Sequence, residues 1–362
     1  MTSGEVLDAR PAPAEHLVRA FSSDRFVLPL PDGHRFPMQK YRLLREGVTA
    51  LGLLPESAVL EPAAIGEDDI LRVHTDEYWS SVRSGVLDRR QQRAMGFPWS
   101  PEMVERSRRS VGATLAAARW ALDRREEFPA GDVVDGPMFV GINLAGGTHH
   151  AFADRGEGFC VLNDVAIACR TLQAEERVNR ALVIDCDVHQ GNGTAALFAG
   201  DDTCFTLSLH GQKNYPFRKE QSDLDVALPD GCGDADYLLA LEAALAEVER
   251  RIGWACRAHD ADGWIGFVLA GADPYVNDRL GRLGLTMEGL RCRDEMIFDW
   301  CRRRGLAIAL TMAGGYAEQV EDVAAIHLAT IREAVAASTS RRDERAAETR
   351  GVQSALESTS AP

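Results

Sequence analysis

The sequence predicts a single α/β domain of three layers, αβα, around a mostly parallel central sheet. Three observations predict it. Short apolar runs recur along the chain, and the one at 181–184 is continuously hydrophobic, as in a strand buried on both faces of a parallel sheet. Helical patterns separate these runs at the spacing of βαβ units. The runs end in polar residues and glycines, and in open α/β sheets ligands bind at the carboxyl ends of strands.

The elements follow in order. Residues 1–20 read as a loose leader, and RFVLPLP at 25–31 as a first strand stopped by its prolines. Residues 33–48 run from a loop into a helix, with Pro37 near the start, where no amide donor is needed. Residues 67–83 place acidic residues first and helical spacing after, and 101–126 form a long charged helix. Residues 137–164 read as a strand, a long glycine-rich loop, and a helix from Asn163. The run from Ala181 leads into a polar turn, and 203–210 is another strand. Residues 213–233, with Pro216 and Pro229, read as a loop, and 234–252 as an amphipathic helix. A strand at 263–273 ends in an aspartate, and 286–304 is helical. The strand at 306–316 ends in Gly-Gly-Tyr, and a last helix covers about 320–337. No repeat or linker divides 21–337. The composition of 338–362 is that of a disordered tail, although 341–350 are able to extend the last helix.

The chain has 362 residues and a net charge of -15, with 45% hydrophobic and 26% charged residues. That charge argues against tight binding to a nucleic acid backbone. It is compatible with basic substrates such as lysine side chains or polyamines, though solubility alone also explains it. No apolar run approaches the roughly 20 residues that span a bilayer. The N-terminal residues show no basic segment followed by an apolar core, so the cytoplasm is the expected location. Eight cysteines include no CxxC pair, which argues against a structural zinc site of thiolates. Cys186 and Cys204 sit within strands and read as small buried residues, and reduced thiols fit a cytoplasmic protein.

The strand at 181–184 runs into Asp185-Cys186-Asp187-Val188-His189. In extended backbone Asp185, Asp187 and His189 point to one side. Taken alone, this reads equally as a polar turn with Asp185 capping a helix. The other strand ends shift the balance: His149-His150 after Gly146-Gly147, Asp273 in Gly-Ala-Asp, and Tyr316 after Gly314-Gly315. A parallel sheet brings such ends to one edge. Two carboxylates and one imidazole leave coordination positions open, the mark of a catalytic zinc, so Asp187, His189 and Asp273 are the expected ligands. By itself Asp273 reads equally as a helix cap. Adjacent imidazoles suit general base and acid work, and a tyrosine after two glycines suits an oxyanion donor.

These residues resemble the zinc-dependent histone deacetylase family, with its arginase-deacetylase fold. The matching pieces are VHTDEYW (73–79), GGTHHA (146–151), GFCVLNDVAIA (158–168), IDCDVHQGNGT (184–194), TLSLHG (206–211), GAD (271–273) and GGY (314–316), in family order over about 25–335. The form DVHQGN resembles the class IV branch and its bacterial relatives. Class I members carry a histidine and an aspartate where this chain has Gln190 and Asn192.

The resemblance implies one zinc ion on Asp187, His189 and Asp273. It implies His150 as principal base and acid, with Asn192 as its partner, and His149 assisting beside Asp185. Tyr316 is implied as the oxyanion donor, and Gly158 and Phe159 as the wall of an acyl-lysine channel. A structural potassium ion is implied on backbone oxygens of Asp185, Asp187, His189 and Leu209, with the side chains of Asp185 and Ser208. The expected activity is removal of an acetyl or longer acyl group from lysine side chains. The rival readings are an acetylpolyamine amidohydrolase and a non-catalytic acyl-lysine scaffold.

Overall fold

The computed structural model describes residues 17–127, 137–255 and 260–338. Among the described residues eight strands form one sheet: β1 Val18–Phe21, β2 Val59–Leu60, β3 Val140–Asn143, β4 Arg180–Asp185, β5 Cys204–Gly211, β6 Leu224–Leu228, β7 Trp264–Leu269 and β8 Ile308–Thr311. Their order is β2-β1-β3-β8-β7-β4-β5-β6, and every pair is parallel. The ten α-helices among the described residues are α1 Gln39–Ala50, α2 Glu67–Ile70, α3 Asp76–Ser84, α4 Arg89–Met95, α5 Pro101–Glu127, α6 Asp164–Ala174, α7 Asn192–Leu197, α8 Asp234–Ile252, α9 Met287–Arg302 and α10 Val320–Ser338. Helices α5 and α6 pack together, and α1, α10, α9 and α8 pack in series, giving the outer layers of an αβα sandwich. Every residue of β3, β7 and β8 is buried, as continuous apolar runs require when both faces are covered.

The four central strands, β3, β8, β7 and β4, are neighbours in space though far apart in sequence. Their carboxyl ends lead into the segments that carry His149-His150, Tyr316, Asp273 and Asp185 to His189. Helix α5 packs on β3 over this centre, and its small buried residues Ala113, Ala117, Ala118 and Ala121 allow a close approach. A Cβ on Gly141 of β3 would come within 2.0 Å of the Ala117 carbonyl oxygen. Gly141→Ala is therefore expected to lower unfolding stability by about 1–3 kcal/mol, the usual range for overpacking. An unchanged denaturation midpoint would show that α5 yields freely.

Several expectations need correction. Residues 25–31 are not a strand: Pro29 and Pro31 cannot donate to a ladder, and Arg106 Nη1 holds the nearby Ser23 and Phe26 carbonyls at 3.0 and 2.9 Å. The first strand is β1, which straddles the end of the expected leader and is registered between β2 and β3. Residues 1–16 and the expected tail from 339 onward lie outside the described residues. The helix expected over 67–83 is split into α2 and α3, because Thr75 starts a new helix by accepting from Tyr78 N at 3.2 Å. The loop expected over 213–233 contains the edge strand β6. The short helix α4 was not expected, although Asp88 and Gln91 form a capping box at its start.

Candidate active site

The Gly-Gly-Thr-His-His loop after β3 is held by Asp164, at the start of α6. Its carboxylate accepts from Gly147 N (3.0 Å), Thr148 N (2.8 Å) and the hydroxyls of Thr148 (2.8 Å) and Thr114 (2.6 Å). This aims both imidazoles inward, with His149 and His150 3% and 4% exposed. His149 Nδ1 lies 2.6 Å from Asp185 Oδ2, and His150 Nδ1 lies 2.6 Å from Asn192 Oδ1. An oxygen acceptor at Nδ1 places the ring proton there. In neutral His150 it leaves the Nε2 lone pair free.

The two environments push the histidines apart. Burial lowers the pKa of both. For His149 the charges of Asp185 and Asp187 outweigh burial and raise it to about 9. For His150 burial and the charges of His149 and His189 hold it well below the usual imidazole range, against a smaller upward pull from Asn192. Pairs of titrating groups pushed apart in this way mark acid and base assignments.

Asp187, His189 and Asp273 each offer one ligand atom, and the three atoms lie within 4.8 Å of one another. His189 Nδ1 lies 2.9 Å from Asp187 Oδ1 and 3.2 Å from Asp273 Oδ2. Asp273 Oδ1 accepts from Val188 N at 2.9 Å, but its buried Oδ2 accepts no hydrogen bond. An orphaned carboxylate oxygen is costly in a dry interior. Burial and the neighbouring Asp187 raise Asp273 to about 7, whereas the two carboxylates lift His189 to about 10 in spite of burial. The cluster thus demands a positive charge at the point where its ligand atoms meet. An oxygen and nitrogen donor set without thiolates fits zinc.

The segment after β8 closes this cluster. Gly314 N donates to Asp187 Oδ2 at 2.8 Å, and Ala272 N to the Gly314 carbonyl at 3.0 Å. A Cβ on Gly314 would lie 2.0 Å from Asp273 Oδ2, so only glycine fits. Tyr316 N donates to Asp278 Oδ2 at 2.5 Å, and Arg279 Nε to the Tyr316 carbonyl at 2.9 Å. Burial, with the charges of Asp187 and Asp273, raises the Tyr316 phenol well above its ordinary range, so it stays a neutral donor.

An inner cavity of about 70 Å³ holds His149, His150, Asp187, His189 and Tyr316 on its wall. Gly158 and Phe159 line both this cavity and the wider mouth outside it. Both take positive φ, and their amides donate to the Ala94 and Met95 carbonyls at the end of α4. A Cβ on Gly158 would lie 2.5 Å from His150 Cδ2. Phe36 and Phe97 pack on Phe159 with ring centroids 5.4 Å away in each case. The aromatic part of the wall is thus larger than the single Phe159 read from sequence.

Other supporting residues were missed. Lys40, 2% exposed, donates to the Ala313 carbonyl at 3.1 Å and sits 5.5 Å from the Tyr316 ring centroid. Arg293 Nη1 donates to the Gly271 and Cys186 carbonyls at 2.7 and 3.3 Å, tying together the segments that carry Asp273 and Asp187. Tyr215 packs edge-on against His150 with centroids 5.0 Å apart. For the implied potassium site, Asp185 and Ser208 are register partners on β4 and β5.

A parallel sheet with a buried carboxylate–imidazole cluster at its carboxyl edge defines an α/β protein of the arginase-deacetylase fold. The model of the histone deacetylase domain matches residues 34–331, and the chain belongs to the histone deacetylase family. That family is one of hydrolases of the deacetylase type, in general zinc-dependent. The chain is 37% identical over 308 residues to an uncharacterised protein of Picosynechococcus, covering 83% of this chain and 93% of that one. It is 27% identical to histone deacetylase 2 of Arabidopsis thaliana, over 78% of this chain and 70% of the relative. The acetoin utilization protein AcuC of Bacillus subtilis is 30% identical over 51% of this chain and 46% of its own. In structure it is similar to an HDAC homologue from Aquifex aeolicus, with a TM-score of 0.70 and 22% identity over 88% of this chain and 84% of that one. No helix among the described residues is long and apolar enough to cross a membrane.

Proposed function

We propose that the protein is a class IV-like zinc amidohydrolase that removes an acetyl or longer acyl group from lysine side chains. The observation that carries this is the meeting of His149, His150, Asp187, His189 and Tyr316 on the wall of one narrow cavity, with Asp273 clustered against Asp187 and His189. Zinc held by Asp187, His189 and Asp273 would polarise the amide carbonyl and acidify a water. His150 Nε2 takes the proton of the attacking water, because Asn192 keeps the other ring proton on Nδ1. His149, held beside Asp185, orients the water and offsets negative charge. The Tyr316 hydroxyl donates to the oxyanion as the carbonyl becomes tetrahedral. His150 then returns the proton to the lysine nitrogen as the C–N bond breaks. Gly158 and Phe159 guide the acyl-lysine inward. A potassium ion on Asp185, Asp187, His189, Ser208 and Leu209 is part of the same proposal, supported by the β4–β5 register, as is a cytoplasmic location.

The test is hydrolysis of lysine peptides carrying acetyl to myristoyl groups by the zinc-loaded protein. Turnover that is lost with zinc and restored with it is the expected result. A protein that holds zinc but releases no acyl group from any peptide would return the reading to a binding scaffold.

Asn192 offers a pH test. A carboxylate at this position would stabilise the cationic form of His150, so Asn192→Asp raises its pKa. A base protonated up to higher pH moves the acidic limb of kcat/KM to higher pH. Profiles of both proteins at equal zinc content check this. An unmoved limb, or one moved to lower pH, counts against Asn192 as the partner that tunes His150.

A further inference from the structure

The protein is acidic, with 55 aspartates and glutamates against 40 lysines and arginines, but the mouth of its cavity is basic. Arg35, Arg93, Lys213, Arg279 and Arg282 line the mouth, and no aspartate or glutamate does so among the described residues. Arg35 and Arg93 are exposed and have no carboxylate partner among the described residues. Lys213 and Arg282 share one carboxylate, Asp230, at 3.7 and 3.1 Å. Arg279 spends its Nε on the Tyr316 carbonyl at 2.9 Å, which fixes this cation beside the entrance. Phe217, 88% exposed, adds an apolar surface at the same rim.

Composition would have put negative charge here, so the reversal of sign is local and specific. A cleft lined by one sign of charge focuses its field on an approaching ligand. An acyl-lysine whose amide reaches the Asp187–His189–Asp273 cluster leaves its backbone and flanking side chains at this mouth. We propose that the preferred substrate is an acyl-lysine peptide flanked by aspartate or glutamate. This rests on the deacylase reading above and deepens it. It also opposes the polyamine reading, because a protonated polyamine tail would face five cations.

The test compares acetyl-lysine peptides with flanking glutamate, glutamine or lysine, together with an acetylated spermidine, on the zinc-loaded protein. Rim charges act mainly on association and respond to salt, so kcat/KM is expected to rank glutamate above glutamine above lysine, with about tenfold between the ends at low ionic strength. Salt should compress the ranking. Arg35→Gln with Arg93→Gln should weaken the preference while leaving turnover of the glutamine peptide unchanged. Binding of the same peptides to His150→Ala protein, read by fluorescence anisotropy, reports on the rim without the chemistry. Tighter binding of the glutamate peptide there upholds the proposal even if the protein hydrolyses none of them, an outcome that removes only the deacylase reading. Equal binding of all three, or preference for the lysine peptide or the spermidine, overturns it.

Discussion

Asp273→Asn loses zinc and activity together. Asparagine fills the same space and still accepts from Val188 N, which lies 2.9 Å from Asp273 Oδ1 in the native protein. What it removes is the charge on the buried Oδ2, which accepts no hydrogen bond and faces His189 Nδ1 at 3.2 Å. Two protein ligands then remain where the cluster has three. Loss of an outer partner of a metal ligand alone costs 10- to 100-fold in affinity or activity, so loss of a ligand is expected to cost more than about 10²-fold. The fold should survive, because the site's carboxylates repel each other in the metal-free protein and the variant relieves that repulsion. Wild-type protein is therefore expected to gain stability on zinc addition, by about 4 kcal/mol at a thousandfold excess over Kd. The variant should gain almost none at the same zinc concentration. Metal analysis after dialysis, chelator competition and thermal unfolding with and without zinc check this. Full activity in a zinc-free Asp273→Asn protein would dismiss the ligand assignment.

What the sequence made legible follows from the physics of each element. β4 and β7 could be read because buried parallel strands are continuous apolar runs. α8 matched residue for residue over Asp234–Ile252, because it has acidic residues in its first turn and Gly253 at its end. β1 escaped because four residues carry little pattern, and its identity comes from pairing with β2 and β3. β6 escaped because an edge strand with alternating exposure looks like a loop between prolines. At the site, the carboxylate–imidazole cluster and the paired histidines were legible because turn residues and strand ends expose them. Arg293 was not. It sits in α9 among Glu288, Arg291, Asp294 and Glu295, which reads as a solvated face, and it is nevertheless fully buried. Lys40 and Asp164 were hidden for the same reason: only the packed fold shows which helical charges point inward. The acidic composition suggested basic partners, whereas the mouth residues are cationic. Net charge is a sum, and the rim is set by five side chains from separate segments.

Tyr316→Phe leaves zinc and substrate bound but slows turnover. The ring is placed by backbone contacts that phenylalanine keeps: Tyr316 N to Asp278, the Tyr316 carbonyl to Arg279, and Gly314 N to Asp187. Lys40 anchors the preceding Ala313 carbonyl, and its ammonium still meets an aromatic face. The substitution therefore removes one hydroxyl and little else. That hydroxyl stays protonated, since burial and the Asp187 and Asp273 charges hold the phenol well above its ordinary range. A neutral donor aimed at the carbonyl interacts most strongly when the oxygen becomes anionic, so its loss is felt in the transition state. Other lost oxyanion donors cost about 10²- to 10³-fold in kcat, and the same range is expected here. KM should change little, as for an interaction made in the transition state alone. Zinc content and melting temperature equal to those of wild type separate this variant from Asp273→Asn. A kcat within about twofold of wild type, with zinc fully loaded, would make the tyrosine a structural wall of the cavity and leave the oxyanion to another donor.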